Sequence, residues 1–301
     1  MNEFPHVAAL VFNRPWAILP ETLHVICELI RRRIGGDRLT DDEIELRIGA
    51  AKARVQPAKG KVTVLPLHGV LGYRMNQFED VSGGTSTERF GRWFSEAVQD
   101  SSVGAIVMDI DSPGGTVDGL PELADQIFKA RESKPIYAVA NAMAASAGYY
   151  IGAAASQLWV TPSGTVGSIG TFAEHYDYSK ALENAGVKPT VITSAVSPFK
   201  GEGNPDLPLP DDALAELQRV VDAYGEQFVS DVAKFRGVQA SVVRRDFGQG
   251  RMAMADEAVS KGMADRVGTL DELMAKLGAT RSTDSLRKRA ELRERKLAAG
   301  A

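Results

Sequence analysis

Ala105-Ile-Val-Met-Asp-Ile-Asp-Ser-Pro-Gly-Gly115 decides the fold. Its first six residues, AIVMDI, read as a continuous apolar strand of the kind buried in a parallel sheet. The strand runs into a Ser-Pro-Gly-Gly turn, and a helix is expected after it, through about Arg131. The same order recurs downstream. Pro135–Ala140 reads as a second buried strand, and Met143-Ala-Ala-Ser-Ala-Gly-Tyr-Tyr150 leads into an alanine-rich helix. Upstream, VTVLPLHGVL (62–71) reads as a strand and 73–87 as a loop. Thr87–Gln99 suits a helix with Phe90, Trp93, Phe94 and Val98 on one face. Further strands are expected at Gln157–Thr161 and Pro189–Thr193. A long amphipathic helix is expected over Asp211–Arg236, a short helix with a glycine stop over Asp256–Gly262, and a last short strand and turn over Asp265–Gly268. Strand, turn and helix in alternation predict an α/β fold of right-handed β-α-β units around a parallel sheet.

The 301 residues, 44% of them hydrophobic, suffice for one large α/β domain with appendages. A helical N-terminal region and linker is expected over 1–60, the core over 61–278 and a charged tail over 279–301. Leu23, Ile26, Cys27, Ile30 and Ile34 recur at helical spacing behind Pro20, and Arg31–Arg33 with Gly35-Gly36 close that helix. Thr40-Asp-Asp-Glu43 is a capping box for a second helix, and 51–60 reads as a linker. The tail from Arg281 carries seven basic and three acidic residues and reads as a solvated helix or a disordered segment. A net charge of -4 and a pI near 5.7 leave no basic footprint, so nucleic acid is not an expected partner. Cys27 is the only cysteine, which excludes an intramolecular disulfide and fits a reducing compartment. No stretch approaches about 18 consecutive apolar residues, and the first twenty lack the basic start and unbroken apolar run of a secretory signal. No membrane span is therefore expected, and the expected location is cytoplasmic.

Active sites of parallel α/β folds gather at the carboxyl ends of strands, which draws the chemistry to two strand-to-helix turns. Ser112-Pro-Gly-Gly115 offers two residues without a Cβ, where backbone can approach a reacting carbonyl. Alone, the motif is equally an ordinary turn. Ser146 stands among Ala144, Ala145, Ala147 and Gly148 at a helix start. There it either caps the helix or exposes its hydroxyl as a nucleophile. A nucleophile needs an oxyanion hole, and the N–H groups of Gly114 or Gly115 and of Ala147 are the natural donors. It also needs a base. His6 and His24 lie in the N-terminal appendage and His68 follows an early strand; a Ser-His-Asp arrangement through His175 is possible. A neutral lysine in a desolvated site is the other choice, and Lys200, beside Phe199 in Ser197–Pro205, is the candidate. Spacing does not choose between them. Gly83-Gly84 lacks a following Gly-Lys-Ser/Thr and is no phosphate loop, and the chemistry requires neither metal nor cofactor.

Several motifs in one order carry a resemblance. Asp111-Ser-Pro-Gly-Gly115, Ser146-Ala-Gly-Tyr-Tyr150, Gly167-Ser-Ile-Gly170, Lys200-Gly-Glu-Gly-Asn-Pro205 and Gly250-Arg-Met-Ala-Met-Ala255, with Ala258 and Gly262, stand between about Lys61 and Leu270. This span resembles the signal-peptide-peptidase-A family of serine peptidases, which has the Clp/crotonase-like fold. The resemblance implies a Ser-Lys dyad with Ser146 as nucleophile and Lys200 as general base, and a Ser168 hydroxyl that orients the lysine amine. Membrane-anchored members carry an N-terminal span that is not read here. Phe12-Asn-Arg-Pro15 with the helix after it, Val81–Ser86 and Lys200–Pro205 instead resemble the phage and prophage branch, the head maturation proteases. That branch implies a capsid, scaffold or portal protein as substrate, and the resemblance to relatives of this fold implies a homo-oligomeric ring. It also implies a site of action in the bacterial or infected-host cytoplasm or within the procapsid, with any scaffold segment reduced to a stub.

Three alternatives stand beside this reading. One is a cytoplasmic signal-peptide-peptidase-like protease. Another is a crotonase-like acyl-CoA enzyme, which would need neither Ser146 nor Lys200. The third is a capsid assembly or scaffold protein with a degenerate protease core, against which the Ser146/Lys200 pair argues.

Overall fold

The structure, a computed structural model, describes residues 14–34, 61–75 and 84–279. The helix expected from Thr40, the glycine stop at Gly35-Gly36, the 51–60 linker and the tail from Arg281 lie outside the described residues.

Strand β1 (Trp16–Ile18) and helix α1 (Pro20–Ile34) come first. The core then opens with β2 (Val62–His68), β3 (Leu71–Gly72), β4 (Thr85–Ser86) and α2 (Thr87–Gln99). Next come β5 (Ala105–Ser112), β6 (Gly114–Thr116), α3 (Leu120–Ala130), β7 (Ile136–Ala145) and α4 (Ala147–Ala153). In the main sheet β5 lies parallel to the edge strand β2 on one side and to β7 on the other. Strand β7 serves two neighbours in turn. Tyr137–Ala140 pairs with β8 (Gln157–Val160), and Met143–Ala145 pairs with β9 (Thr165–Gly167), both parallel. The changeover falls at Ala142, whose φ of 92° is costly for a residue with a Cβ. These β-α-β units form the parallel α/β core that the alternation of strand, turn and helix predicts.

Beyond β9 the chain carries α5 (Ser179–Asn184), a 3₁₀ turn (Pro198–Gly201), α6 (Asp211–Arg236) and α7 (Ala240–Asp246). It ends in β10 (Met252–Met254), α8 (Ala255–Ser260), β11 (Arg266–Val267) and α9 (Leu270–Lys276). Strand β10 runs antiparallel to β9, and β11 runs parallel to β8. The expected strand at Pro189–Thr193 does not form. Among the described residues no strand pairs with it, and its apolar residues face solvent: Val191 is 39% exposed and Ile192 90%.

Alternation along β5 sorts its side chains between two layers. Ile106, Met108 and Ile110 join the larger core, with Phe90 and Phe94 of α2, Leu123 and Ile127 of α3, and Phe228 and Val232 of α6. Ala105 and Val107 face the smaller layer, where Trp159 meets Leu270, Leu273 and Met274 of α9. Each large apolar side chain so buried contributes about 1.5–3 kcal/mol. The sequence reading did not foresee α9; its capping box joins Thr269 and Glu272. Arg236, at the C-terminal end of α6, ties the layers together. Its guanidinium, 8% exposed, donates to both oxygens of Asp265 at 2.8 and 2.9 Å, and its Nε donates to the Gly262 carbonyl. Asp265 also accepts the Leu158 N–H at 2.7 Å.

A second, four-stranded sheet in the order β1-β6-β3-β4 stands over the carboxyl end of β5. Here β6 is antiparallel to β1 and parallel to β3. Trp16, Ile18, Leu23 and Cys27 from the N-terminal segment form a small core of their own with Val70, Phe172 and Tyr176.

Candidate active site

The turn from β5 into β6 is held by Ser112. Its hydroxyl donates to the Gly69 carbonyl at 2.7 Å and accepts the Gly114 N–H at 3.1 Å. Both glycines are sterically required. A Cβ on Gly115 would lie 1.8 Å from the Leu71 carbonyl oxygen. Gly114 has a φ of 104°, and a Cβ there would lie 2.2 Å from the Ala17 carbonyl oxygen and 3.0 Å from Ser146 Cβ. The Ser-Pro-Gly-Gly turn thus lies against the serine singled out in the sequence.

Ser146 follows the last residue of β7 and precedes α4. Its backbone, at φ 53° and ψ -115°, lies outside the regions an L-residue ordinarily adopts. Its N–H donates to the Gly167 carbonyl at 2.7 Å, and its carbonyl accepts the Tyr150 N–H at 2.9 Å. The side chain makes no capping hydrogen bond, so the helix-cap role open in the sequence does not hold. The Oγ is buried and has no hydrogen-bond partner among the described residues. Strain together with an unpaired buried hydroxyl makes Ser146 the candidate nucleophile of the site.

Neighbouring groups follow from the strand register. Because Ala145 pairs with Gly167, Ser146 and Ser168 leave adjacent strand ends. Ser168 is buried, has a φ of 53°, and donates its N–H to the Arg251 carbonyl at 2.9 Å. Ala147 opens α4, and a helix's first amides have no partner within the helix. Gly148 lets α4 approach β5, since a Cβ there would stand 3.2 Å from Ser112 Cβ. Two tyrosines anchor this short helix. Tyr149 Oη donates to the Met263 carbonyl at 3.0 Å, and Tyr150 Oη donates to Asp231 of α6. Burial pushes both phenols above their ordinary range, so they stay protonated donors.

The structure brings Gly114, Gly115, Ser146, Ala147 and Ser168 together, but it does not bring the two candidate bases to them. Lys200 lies on the exposed 3₁₀ turn, where Phe199 is itself 67% exposed. His175 lines a cleft with Leu209, Leu214, Leu217 and Val221, against α6. Neither hydrogen-bonds to Ser146 Oγ. His68 is taken up by Asp109, with Nε2 3.4 Å from the carboxylate, and Asn141 Nδ2 donates to the other carboxylate oxygen at 3.0 Å. The sequence reading missed this polar cluster. Its signal was Asp109, an acid inside an otherwise apolar run.

Several known proteins are similar to this chain. The chain is 32% identical over 283 residues to capsid assembly protease C of Escherichia phage lambda. It is 28% identical over 277 residues to head-tail preconnector protein GP5 of Enterobacteria phage P21. These alignments take in 89% and 87% of this chain, which spans 64% and 54% of the two relatives' lengths. The 1510-N membrane protease specific for a stomatin homolog from Pyrococcus horikoshii superposes with a TM-score of 0.42 at 17% identity, over 73% of this chain and 79% of that one. The sequence profile of Peptidase family S49 matches residues 129–283, from the end of α3 past α9 and through Ser146, Ser168 and Lys200, and the chain therefore belongs to peptidase family S49.

Proposed function

We propose that the chain is a serine endopeptidase that processes phage capsid, scaffold or portal proteins during head maturation. One observation carries the catalytic part: Ser146 Oγ is unpaired on a strained turn, directly against the Gly114-Gly115 turn. The head-maturation part is supported by the two phage relatives named above.

In this reading Ser146 Oγ attacks the peptide carbonyl and passes its proton to neutral Lys200. Protonated Lys200 then donates to the leaving amine, and water hydrolyses the acyl-enzyme. The oxyanion is held by the N–H groups of Gly115 and Ala147. Gly114 contributes its open backbone rather than its N–H, which is already engaged by Ser112. Ser168 orients the Lys200 amine once it arrives. Lys200 reaches a serine only when its exposed segment is repositioned, and packing between copies in a ring is the means we favour. Exposed Ile192, Val196 and Phe199 give that segment an apolar surface to bury. Among the described residues no helix is long and apolar enough to cross a membrane.

The test is fluorophosphonate labelling and cleavage of a co-expressed capsid gene product. Wild type is labelled and cleaves; Ser146→Ala does neither. Lys200→Ala abolishes cleavage, and wild-type cleavage rises with pH, because only a neutral amine accepts a proton. Normal cleavage by Lys200→Ala together with a dead His175→Ala would reassign the base.

A further inference from the structure

Ser146 is 1% exposed, and a nucleophile so enclosed meets no substrate. What stands beside it is the chain's own N-terminal strand. In β1, Trp16 pairs with Thr116, Ala17 with Gly115 and Ile18 with Gly114, all antiparallel. The other edge of β1 is also taken: Trp16 N–H donates to the Phe172 carbonyl at 2.8 Å, and Phe172 N–H donates to the Trp16 carbonyl at 3.1 Å. Leu19 N–H donates to the Pro113 carbonyl at 2.8 Å, which sets the phase of the β1–β6 ladder. Hydrogen-bonded pairs alternate in an antiparallel ladder, so the next such pair is Ala17 with Gly115, and Gly115 N–H faces the Ala17 carbonyl. That oxygen and Ser146 Cβ both crowd the space beside Gly114.

An extended segment held between two edges, with one carbonyl at an oxyanion donor and next to the nucleophile, has the geometry of a bound peptide. Resting on the peptidase assignment of Ser146, we infer that Pro15–Leu19 is a resident occupant of the substrate groove, and that a substrate gains Ser146 only by displacing it. In this reading the strand remains uncut because Ser146 Oγ has no hydrogen-bond acceptor among the described residues.

The test is a reversible lock in the full chain. Trp16 and Thr116 form a non-hydrogen-bonded antiparallel pair, whose Cα spacing of about 4.5 Å falls inside the range a disulfide spans. Trp16→Cys and Thr116→Cys are introduced together with Cys27→Ser. Oxidised, the protein should be labelled by a fluorophosphonate at least about tenfold more slowly than after reduction, because the competent fraction falls. Equal rates in the two forms would overturn the inference. A second arm needs no catalysis: on a Ser146→Ala background, a fluorescent peptide copying residues 13–20 should bind the reduced form and not the oxidised one. If labelling fails in every form but the peptide still discriminates, the peptidase assignment falls and the resident strand stands. Equal peptide binding by both forms sinks the resident strand. N-terminal sequencing that finds wild type cut after Ala17 would also refute it, by making the strand a substrate.

Discussion

Removing the Ser146 hydroxyl should make the protein more stable. Ser146→Ala deletes a buried polar atom that has no hydrogen-bond partner among the described residues. Leaving such a group unsatisfied costs about 1–3 kcal/mol relative to an apolar replacement. The hydroxyl's volume is small, so little cavity offsets the gain, and a net stabilisation of about 1–2 kcal/mol is expected. For a domain of this size that is a rise in Tm of roughly 2–8 °C. Ser146→Gly separates the two sources of cost. It also relieves the φ of 53°, but it adds the chain entropy of glycine, about 0.5–1 kcal/mol. Its Tm should therefore lie near that of Ser146→Ala rather than far above it. Differential scanning fluorimetry with parallel fluorophosphonate labelling checks both variants. A Ser146→Ala protein that is inactive and melts below wild type would show that the hydroxyl is structural, and the argument from its lack of a partner would fail.

The other expectations concern the turn, the core network and the surface. Ser112→Ala removes the acceptor of Gly114 N–H and the donor to the Gly69 carbonyl; urea unfolding should show a loss of about 1–3 kcal/mol, and kcat should fall more than KM rises. Asp265→Ala strands the buried Arg236 charge and frees the Leu158 N–H, at an expected cost of about 3–5 kcal/mol, whereas Arg236→Met with Asp265→Leu should recover much of it. Asp125 is held below the usual carboxylate range by Lys129 and then Lys234. Its small contribution is therefore present above its unfolded value and lost as pH falls through the folded one, so the Tm gap between wild type and Asp125→Asn should close on acidification.

Much of the core was legible because its signals are local. The run at 105–110 and the apolar stretch before Ser146 each lead into small residues, and together they fix strand ends, turns and helix starts within a few positions. The span of α6 was legible for the same reason: its apolar period persists through 26 residues. Strand β1 was not. Three residues are too few to show a period of two, and its partners Thr116 and Phe172 lie far along the chain. Pro189–Thr193 failed in the opposite way, since a strand-like composition makes no strand without an edge to pair with. At the site, Ser146 and the glycines were readable from residue size, but the part Ser112 plays depends on a hydrogen bond to Gly69 across 43 positions. The base is a question of long-range placement, on which neither Lys200 nor His175 carries a local mark.

One consequence of β1 reaches beyond access to the serine. Because it is bonded on both sides, lifting it bares two strand edges at once, β6 and the stretch around Phe172, set about 10 Å apart across the vacated row. Bare edges recruit strands from any chain, and the nearest abundant match is the released β1 of another copy. Opening thus creates a sticky slot together with the plug that fits it. At high concentration, opened molecules should exchange N-terminal strands and link into swapped dimers or chains. The closed strand guards solubility as well as the nucleophile.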